Sequence, residues 1–358
     1  MANRFTPRPD LYQQTTDAIC AALEAGTVPW RRPWSPDAAA PSGPVNATTG
    51  KAYRGINVLM LGMNPLTFTS GDPRWCSYKQ AADKGWQVRK GEKAATVFFF
   101  KTVEIDAAEG DDDDKRTVPV LRSYPVFHAS QMDNIPAHIP PTTAEAPWRA
   151  PEAAEVILTN SGVPVREGGS RAFYSPAADF IQLPPRATFI GPAEWAATAM
   201  HELGHATAHP SRLDRTTGNP RFGSRDYAAE ELRAELASAF IGAQLNIPSD
   251  LANHASYVDS WLASMRADRR EIFRAAADAQ RIADWCLARH PDYAAAMTED
   301  ATPEDAPTEP TPAVPAAVAA MGPMPRHISK SLKLEPAVAA VASAPTPEET
   351  ASWTYAPR

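Results

Sequence analysis

The sequence HELGHATAHP, at residues 201–210, constrains the fold of this chain more than any other stretch. Positions i and i+4 of an α-helix lie on one face, so His201 and His205 can direct imidazole nitrogens to the same metal ion. Glu202 lies beside them and can reach a water at that ion without ligating it. The alternative is a pair of histidines on a helix surface, but the small apolar residues on both sides of the motif favour a metal site. The motif therefore predicts a helix that holds two metal ligands.

The third ligand is not expected within the same stretch. His209 follows His201 by eight residues, a distance of about 12 Å along a helix, which is too far for one ion. The stretch also departs from the metzincin pattern HExxHxxGxxH, because Ala208 replaces its glycine and Ser211 its third histidine. The missing ligand must therefore lie elsewhere in the chain.

A helix predicted at residues 227–245 offers that ligand. Glu231 and Glu235 lie on one face at i and i+4, and small residues around them allow close helix packing. In zincins with a glutamate ligand, the ligand commonly comes first and an acidic or amide residue one turn later orients a histidine. Glu231 is therefore expected to ligate and Glu235 to orient, although the opposite assignment and two solvated glutamates stay open. Glu230 points about 100° away and is expected to be solvated.

Two histidines and one glutamate are typical of catalytic zinc, with another divalent metal as the alternative. Zinc with three protein ligands keeps a fourth position for water and lowers the pKa of that water towards neutrality. Glu202 would take a proton from this water as it attacks a peptide carbonyl, and would pass it to the leaving amine. Tyr227, His209 and Tyr174 are candidate donors to the oxyanion. These residues predict a zinc metallopeptidase whose substrate the sequence does not identify.

Charge is distributed unevenly over the 358 residues. Residues 1–105 contain 13 Lys and Arg against 8 Asp and Glu, a balance of +5, whereas the remainder contains 22 against 34, a balance of −12. A basic N-terminal module joined to an acidic remainder suggests an anionic partner for the first part only.

The order of predicted elements indicates an α+β fold of two domains, a small α+β domain followed by a mainly helical one with a short β hairpin. The first domain spans residues 1–135, and a proline-rich linker at 136–150 separates it from a second domain at 151–292. Residues 293–358 are rich in alanine and proline and are expected to form a disordered tail.

A β hairpin is predicted inside the first domain. The run TVFFFKTVEI contains three consecutive phenylalanines, and residues 118–130 are its natural pairing partner. Between the two runs lies EGDDDDKR, at residues 109–116, which is expected to be a solvated acidic loop.

Cations and aromatic rings alternate in the first domain. Single-stranded nucleic acid favours such pairing, because phosphates need cations and unstacked bases need flat apolar faces. The alternative is that the tryptophans belong to the core and the lysines only solubilise the domain. The candidate DNA contacts are Trp30, Arg31, Arg32, Trp34, Lys51, Tyr53, Arg54, Lys79, Trp86, Arg89, Lys90 and Lys93.

Several long motifs resemble a known family. The N-terminal half contains PWRRPW, TGKAYRGINVLML, SYKQAADKGWQVRKGEKAATVFFF and LRSYPVFHASQ. The C-terminal half contains RAFYSPAADFIQLPP, HELGHATAHPSRLDR and YAAEELRAELASAFIGAQL. The first group resembles the single-stranded-DNA-binding domain of ArdC-type antirestriction proteins, a domain related to the N-terminus of TraC-type primases. The second resembles the zincin-like metallopeptidase domain that follows it in that family.

The resemblance implies a function for each half of the chain. It covers roughly residues 5–290, and the metal motif of the family falls on His201, His205 and the Glu231/Glu235 pair, with Glu202 as the catalytic acid and base. The protein would travel with a plasmid, phage or other mobile element, bind incoming single-stranded DNA and protect it from restriction in a new host.

Two functions of different classes are therefore expected to compete. One is a DNA-binding antirestriction protein whose zincin domain cleaves a host protein. The other is a purely DNA-binding protein with a structural or vestigial metal site, and a primase accessory role ranks last. The chain has no apolar run of transmembrane length, no basic-then-apolar start typical of a signal peptide, and three scattered cysteines. These features predict a cytoplasmic protein without a membrane partner.

Overall fold

The computed structural model shows a protein of mixed α+β architecture, as the sequence predicts. None of the helices that it describes is long and apolar enough to cross a membrane. Residues 107–114, which include most of the predicted acidic loop, and the chain beyond residue 299 lie outside the described part. The described residues are 10–26, 28, 30, 43–106, 115–139, 146–215, 224–245, 247 and 257–299.

The N-terminal part alternates short helices and strands. The elements are α1 (Leu11–Glu24), β1 (Val45–Asn46), α2 (Ile56–Gly62), α3 (Pro65–Ser70), β2 (Arg74–Cys76), α4 (Tyr78–Asp83), β3 (Gln87–Val88), β4 (Ala95–Asp106), β5 (Lys115–His128) and β6 (Met132–Asp133). Four strands form one sheet in the order β1-β2-β5-β4, in which β1 is parallel to β2 and the other pairs are antiparallel. Strands β3 and β6 form a separate antiparallel pair.

The predicted hairpin is confirmed as the pairing of β4 with β5. Its register runs from Ala95 opposite Val126 to Asp106 opposite Lys115. β-Branched and aromatic side chains suit such a paired, half-buried surface. Phe98 is buried near the base of the hairpin, and its backbone exchanges two hydrogen bonds with the side chain of Asn57 on α2. These hydrogen bonds connect the edge strand β4 to α2.

The C-terminal part is mainly helical and contains one small sheet. The elements are α5 (Ala146–Asn160), β7 (Val165–Glu167), β8 (Phe173–Ser175), β9 (Phe180–Leu183), α6 (Pro192–Ala206), α7 (Arg225–Leu245), α8 (Val258–Ala267), α9 (Glu271–Leu287) and α10 (Pro291–Glu299). The sheet has the order β7-β9-β8, with β7 parallel and β8 antiparallel to β9, so β8 lies at an edge.

Two helices extend past the domain boundaries that the sequence predicts. Helix α5 begins at Ala146, inside the proposed linker at 136–150, of which residues 140–145 are not described. Helix α10 runs to Glu299, into the predicted tail at 293–358. The alanine-rich stretch after Pro291 favours helix, and proline is well tolerated in a first helical turn. Alanine and proline content alone therefore predicted disorder over residues that are helical.

The first helix of the chain packs into the C-terminal part. Helix α1 is capped by Asp10, whose carboxylate accepts the backbone N–H groups of Tyr12 and Gln13. The other Asp10 oxygen lies 3.1 Å from Arg269 Nε, and Thr16 donates to the carbonyl of Arg269 at 2.8 Å. Buried residues of α1 and α2 belong to the same apolar cluster as those of α6 to α9. The two halves of the sequence therefore share one core.

Candidate metal centre

Close packing of α6 against α7 creates the candidate centre. Gly204 lies on the contact face of α6, and a Cβ atom built there would come 3.6 Å from Ala234 Cα on α7. Ser238, one turn further along α7, donates to the carbonyl of Ala197 at 3.3 Å. The small residues expected to allow close packing therefore lie at the helix interface. This packing brings the histidines of α6 within reach of the glutamates of α7.

The structure brings His201, His205 and Glu231 together. One potential ligand atom from each lies within 4.8 Å of the others, and all three side chains are buried. The two Nε2 atoms are 3.1 Å apart, and Glu231 carboxylate oxygens lie 3.5 Å from His201 Nε2 and 3.6 Å from His205 Nε2. Ligand atoms around a tetrahedral zinc are about 3.3 Å apart, given metal–ligand distances near 2.0–2.1 Å. The spacing and the donor types fit a divalent metal.

Glu202 lies next to this cluster without joining it. Its carboxylate is buried and accepts the backbone N–H of Tyr174 on the edge strand β8. Burial raises the pKa of Glu202, although the nearby His201 and His205 act in the opposite direction. A raised pKa makes this carboxylate a stronger base than an exposed glutamate, which suits a group that must take up a proton.

Glu235 contacts His201 from the other side of the imidazole. Its Oε2 atom lies 3.8 Å from His201 Nδ1, while its Oε1 atom accepts the indole N–H of Trp30 at 3.3 Å. Only the Nε2 side of His201 faces His205 and Glu231. The geometry therefore groups Glu231 with the histidine Nε2 atoms and leaves Glu235 behind His201.

The expectation that Glu230 is solvated was wrong. Glu230 is 4% exposed, its Oε1 atom lies 3.3 Å from His205 Nδ1, and both oxygens accept hydrogen bonds from Arg215 at 2.8 and 2.9 Å. Burial alone would raise the pKa of Glu230, but Arg215 and His205 lower it. The helical period placed Glu230 away from Glu231, and the sequence did not reveal that Arg215 and His205 meet it there.

The titration of the centre is governed by its own carboxylates. Burial alone would lower the pKa of His201, but a hydrogen bond to Glu231 and the charges of Glu202, Glu231 and Glu235 raise it to about 9. Burial would raise the pKa of Glu231, but the two histidines and a hydrogen bond from Tyr227 lower it to about 2. A proton on His201 therefore occupies the place that a metal ion would take.

The three candidate oxyanion donors lie in different surroundings. Tyr227 hydrogen-bonds Glu231, and its hydroxyl lies 3.4 Å from that of Tyr257, a residue that the sequence did not single out. The hydroxyl of Tyr174 instead donates to Asp179 at 2.8 Å. His209 hydrogen-bonds Ser211 and is not part of the metal-ligand cluster found among the described residues. Of the three, Tyr227 is the one beside a potential ligand.

Two family models match the chain, one in each half. The model of the N-terminal domain of the anti-restriction factor ArdC matches residues 9–127, and that of zincin-like metallopeptidases matches residues 152–278. The uncharacterized protein y4eC of Sinorhizobium fredii is 40% identical over 289 residues, which cover 79% of this chain and 93% of that protein. The chain belongs to the ArdC family of antirestriction proteins.

Solved structures and longer relatives agree with this family. The metal-free crystal structure of antirestriction ArdC from plasmid R388 is 39% identical with a TM-score of 0.66, and its Mn(II)-bound structure is 38% identical with a TM-score of 0.64. Each match covers 79% of this chain and 99% of the R388 chain. Two DNA primases TraC of Escherichia coli are 44% and 42% identical over 293 and 301 residues. The chain spans only 27% and 20% of the length of those primases.

The candidate DNA contacts of this ArdC-family protein divide by burial. Trp30 and Tyr53 are buried, so their rings belong to the core, which the alternative interpretation expected for the tryptophans. Arg31, Arg32 and Trp34 lie outside the described residues. Arg54 forms an ion pair with Asp284 on α9. The exposed remainder comprises Lys79, Arg89, Lys90 and Lys93, with Lys51 and Trp86 half-buried.

These exposed cations follow one another from α4 to the segment between β3 and β4. Tyr78, at the start of α4, is 52% exposed, and its hydroxyl accepts a hydrogen bond from Gln87 on β3. Arg89, Lys90 and Lys93 are all exposed, and Arg89 forms ion pairs with Glu92 and Asp133. Residue type alone did not separate these surface positions from buried Trp30 and Tyr53.

Metal affinity should rise with pH. Because the pKa of His201 is about 9 in the metal-free centre, a metal must displace a proton below that pH, and affinity should increase by roughly tenfold per pH unit between pH 6.5 and 9. The same raised pKa stabilises the metal-free fold below pH 6.5, and this contribution is lost as pH rises through 9.

Competition with a chromophoric chelator measures the metal affinity at each pH. Thermal unfolding of chelator-treated protein measures the pH-dependent stability of the metal-free fold. His209→Asn removes an imidazole outside the cluster and should leave both profiles unchanged. A metal affinity independent of pH across this range would contradict the assignment of His201.

Proposed function

We propose that this protein is an antirestriction-type single-stranded-DNA-binding protein that uses a zinc metallopeptidase domain while it protects mobile-element DNA in a new host. The convergence of His201, His205 and Glu231, with Glu202 beside them, supports the peptidase part. Membership of the ArdC family and the exposed cations near α4 support the DNA-binding part.

In this proposal, His201, His205 and Glu231 hold the metal. A bound divalent metal supplies positive charge that polarises a peptide carbonyl and makes water more acidic. Glu202 accepts the proton of the attacking water and returns it to the leaving amine. Its raised pKa suits this exchange, and the hydrogen bond from the Tyr174 backbone fixes the carboxylate in place.

Neighbouring groups would orient a peptide substrate. Strand β8 lies at the edge of its sheet and contains Tyr174, so an extended peptide paired along this edge would lie beside Glu202. The hydroxyls of Tyr227 and Tyr257 lie near Glu231 and can donate to the oxygen on which negative charge develops. We propose zinc because two histidines and one carboxylate suit it, while the Mn(II)-bound R388 structure makes manganese the first alternative.

A second candidate function is supported by the burial of the centre. His201 is 6% exposed and the other two proposed ligands are equally enclosed, which also suits a metal that only stabilises the fold. In that case, DNA binding alone would protect the incoming strand.

Replacing Glu202 with glutamine separates the two candidates. Glu202→Gln keeps the side-chain shape and the three ligands but removes the proton acceptor, so metal content should be unchanged while hydrolysis falls by about 10²- to 10⁴-fold. Cleavage of a peptide library by the full chain, followed by mass spectrometry, measures activity, and elemental analysis measures the metal.

Glu152→Gln, on the exposed side of α5, is the control and should cleave as the unchanged protein does. A restriction assay in recipient cells extends the test to protection. If Glu202→Gln cleaves the library at the original level, the proposed mechanism is wrong. If neither chain cleaves it and both protect DNA equally, the purely binding function stands.

The DNA-binding surface is proposed to run along Tyr78, Lys79, Lys90 and Lys93. Phosphates would contact the lysines, and an unstacked base would lie on the exposed ring of Tyr78. Buried rings such as Trp30 are not assigned to this surface.

Affinity for a single strand should fall steeply with salt, because each phosphate contact releases a counterion. Removing one contact by Lys90→Ala or Lys93→Ala should reduce the slope of log affinity against log salt by about 0.7. Fluorescence anisotropy with a labelled oligonucleotide, single against double strand, gives the measurement.

The control is Arg281→Ala, which removes one exposed cation from α9 and should leave the slope unchanged. Salt-independent binding by the full chain, or the same slope in all three variants, would rule out this surface.

A further inference from the structure

Arg215 and Glu230 form a buried ion pair at the end of α6. Their side chains are each 6% exposed, and two hydrogen bonds of 2.8 and 2.9 Å join the guanidinium to the carboxylate. Arg215 also donates to the carbonyl of Gly204 at 3.0 Å and to the hydroxyl of Thr207 at 3.2 Å. The pair therefore connects the start of α7 to the helical turn that contains His205.

Burial of such a pair is not explained by stability alone. Moving two charges out of water costs several kcal/mol for each ion, and a hydrophobic pair of similar volume is often equally stable. The geometry instead connects the pair to His205, because Glu230 Oε1 lies 3.3 Å from His205 Nδ1. Glu230 is not a candidate ligand, since it contacts the nitrogen opposite the Nε2 atom that faces His201 and Glu231.

We propose that Glu230 is a positioning residue for His205 and that Arg215 holds Glu230 in place. A carboxylate that accepts the Nδ1 proton fixes the tautomer and the ring plane, so the Nε2 lone pair points to the metal. Arg215 binds both oxygens of Glu230 and thereby prevents the carboxylate from turning away. This inference rests on the proposed metal centre, and it adds two residues that act on the metal only through His205.

Metal affinity in the full chain tests the proposal. Glu230→Gln keeps an acceptor but removes its charge, and the double variant Arg215→Met/Glu230→Gln removes both charges without leaving either one buried alone. Both should bind Zn²⁺ about 10- to 100-fold more weakly, the usual effect of losing a carboxylate behind a histidine ligand. Competition with a chromophoric chelator gives the affinity, and the visible spectrum of the Co²⁺-loaded protein should report altered ligand geometry.

A second ion pair on α7 provides the matched control. Arg233 lies 2.7 Å from Asp278 on α9, and neither residue hydrogen-bonds a proposed ligand in the described structure. Arg233→Met/Asp278→Asn should lower the melting temperature of the metal-free chain but leave Zn²⁺ affinity and the Co²⁺ spectrum unchanged. Unchanged affinity in both Glu230 variants, or an equal loss in the control, would overturn the proposal. If the original chain binds Zn²⁺ but cleaves nothing, the peptidase function fails while this proposal stands; if it binds no metal, both fail.

An independent contact reaches the centre from the N-terminal domain. Trp30 lies within the segment that matches the ArdC N-terminal model, yet its indole N–H donates to Glu235 Oε1 at 3.3 Å. Its ring packs against Trp261 of α8, with the ring centroids 5.7 Å apart. Glu235 is 1% exposed, and its other oxygen lies 3.8 Å from His201 Nδ1. A buried carboxylate depends on such donors to offset its desolvation.

We infer that Trp30 is a positioning residue that acts on His201 through Glu235. The N-terminal domain would then contribute to a metal centre whose proposed ligands all lie on α6 and α7. Any change in metal binding that depends on Trp30 is also a coupling between the two domains, and such coupling acts in both directions.

Two tryptophan variants of the full chain test this inference. Trp30→Phe keeps an aromatic ring but removes the N–H donor, so Zn²⁺ affinity should fall roughly tenfold and the Co²⁺ spectrum should change. The control is Trp195→Phe on α6, because the Trp195 indole nitrogen is buried without a hydrogen-bond partner among the described residues. That variant should bind Zn²⁺ normally. Normal affinity in Trp30→Phe, or the same loss in both variants, would overturn the inference.

Discussion

The close contact between α6 and α7 is the interaction on which the rest of the centre depends. Gly204 meets Ala234 at this contact, and a Cβ atom at Gly204 would make ordinary van der Waals contact with Ala234, so small residues on both helices suit the close approach. When two helices pack this closely, imidazole and carboxylate groups from both can reach one ion without long flexible side chains. The same approach excludes water from the interface, so every polar group between the two helices requires a protein partner or an ion.

The charges between these helices explain why the centre suits a cation. Four buried carboxylates meet there, and like charges in a region of low dielectric repel strongly. Arg215 neutralises one of them, and the raised pKa of Glu202 favours a proton on another. The remaining two face His201 and contribute, with the charge of Glu202, to raising its pKa to about 9. Either a proton on His201 or a bound metal ion can therefore supply the positive charge that these buried carboxylates require. The four carboxylates are those of Glu202, Glu230, Glu231 and Glu235.

Helical periodicity explains what could be predicted from the sequence. His201 with His205, and Glu231 with Glu235, are local pairs whose common face follows from spacing alone. The pairing of β4 with β5 likewise follows from two neighbouring β runs. Glu230 was misassigned because its partner Arg215 comes from a loop 15 residues earlier, a contact that no local period encodes. Trp30 is of a residue type that commonly stacks on bases, and the sequence therefore predicted a DNA contact. The tertiary fold buries its ring, which residue type alone does not reveal.

The shared core gives the two domains a physical reason to act together. Helix α1 buries Ile19 and Leu23 in the cluster that includes Trp261 and Phe273 of the C-terminal half. Removing the N-terminal part would expose these apolar faces to water, at a free-energy cost of roughly 25 cal/mol for each Å² of apolar surface. It would also take the Trp30 donor away from Glu235, which is almost fully buried. The two family models match separate segments of the sequence, whereas the core and the environment of the candidate metal centre are built from both.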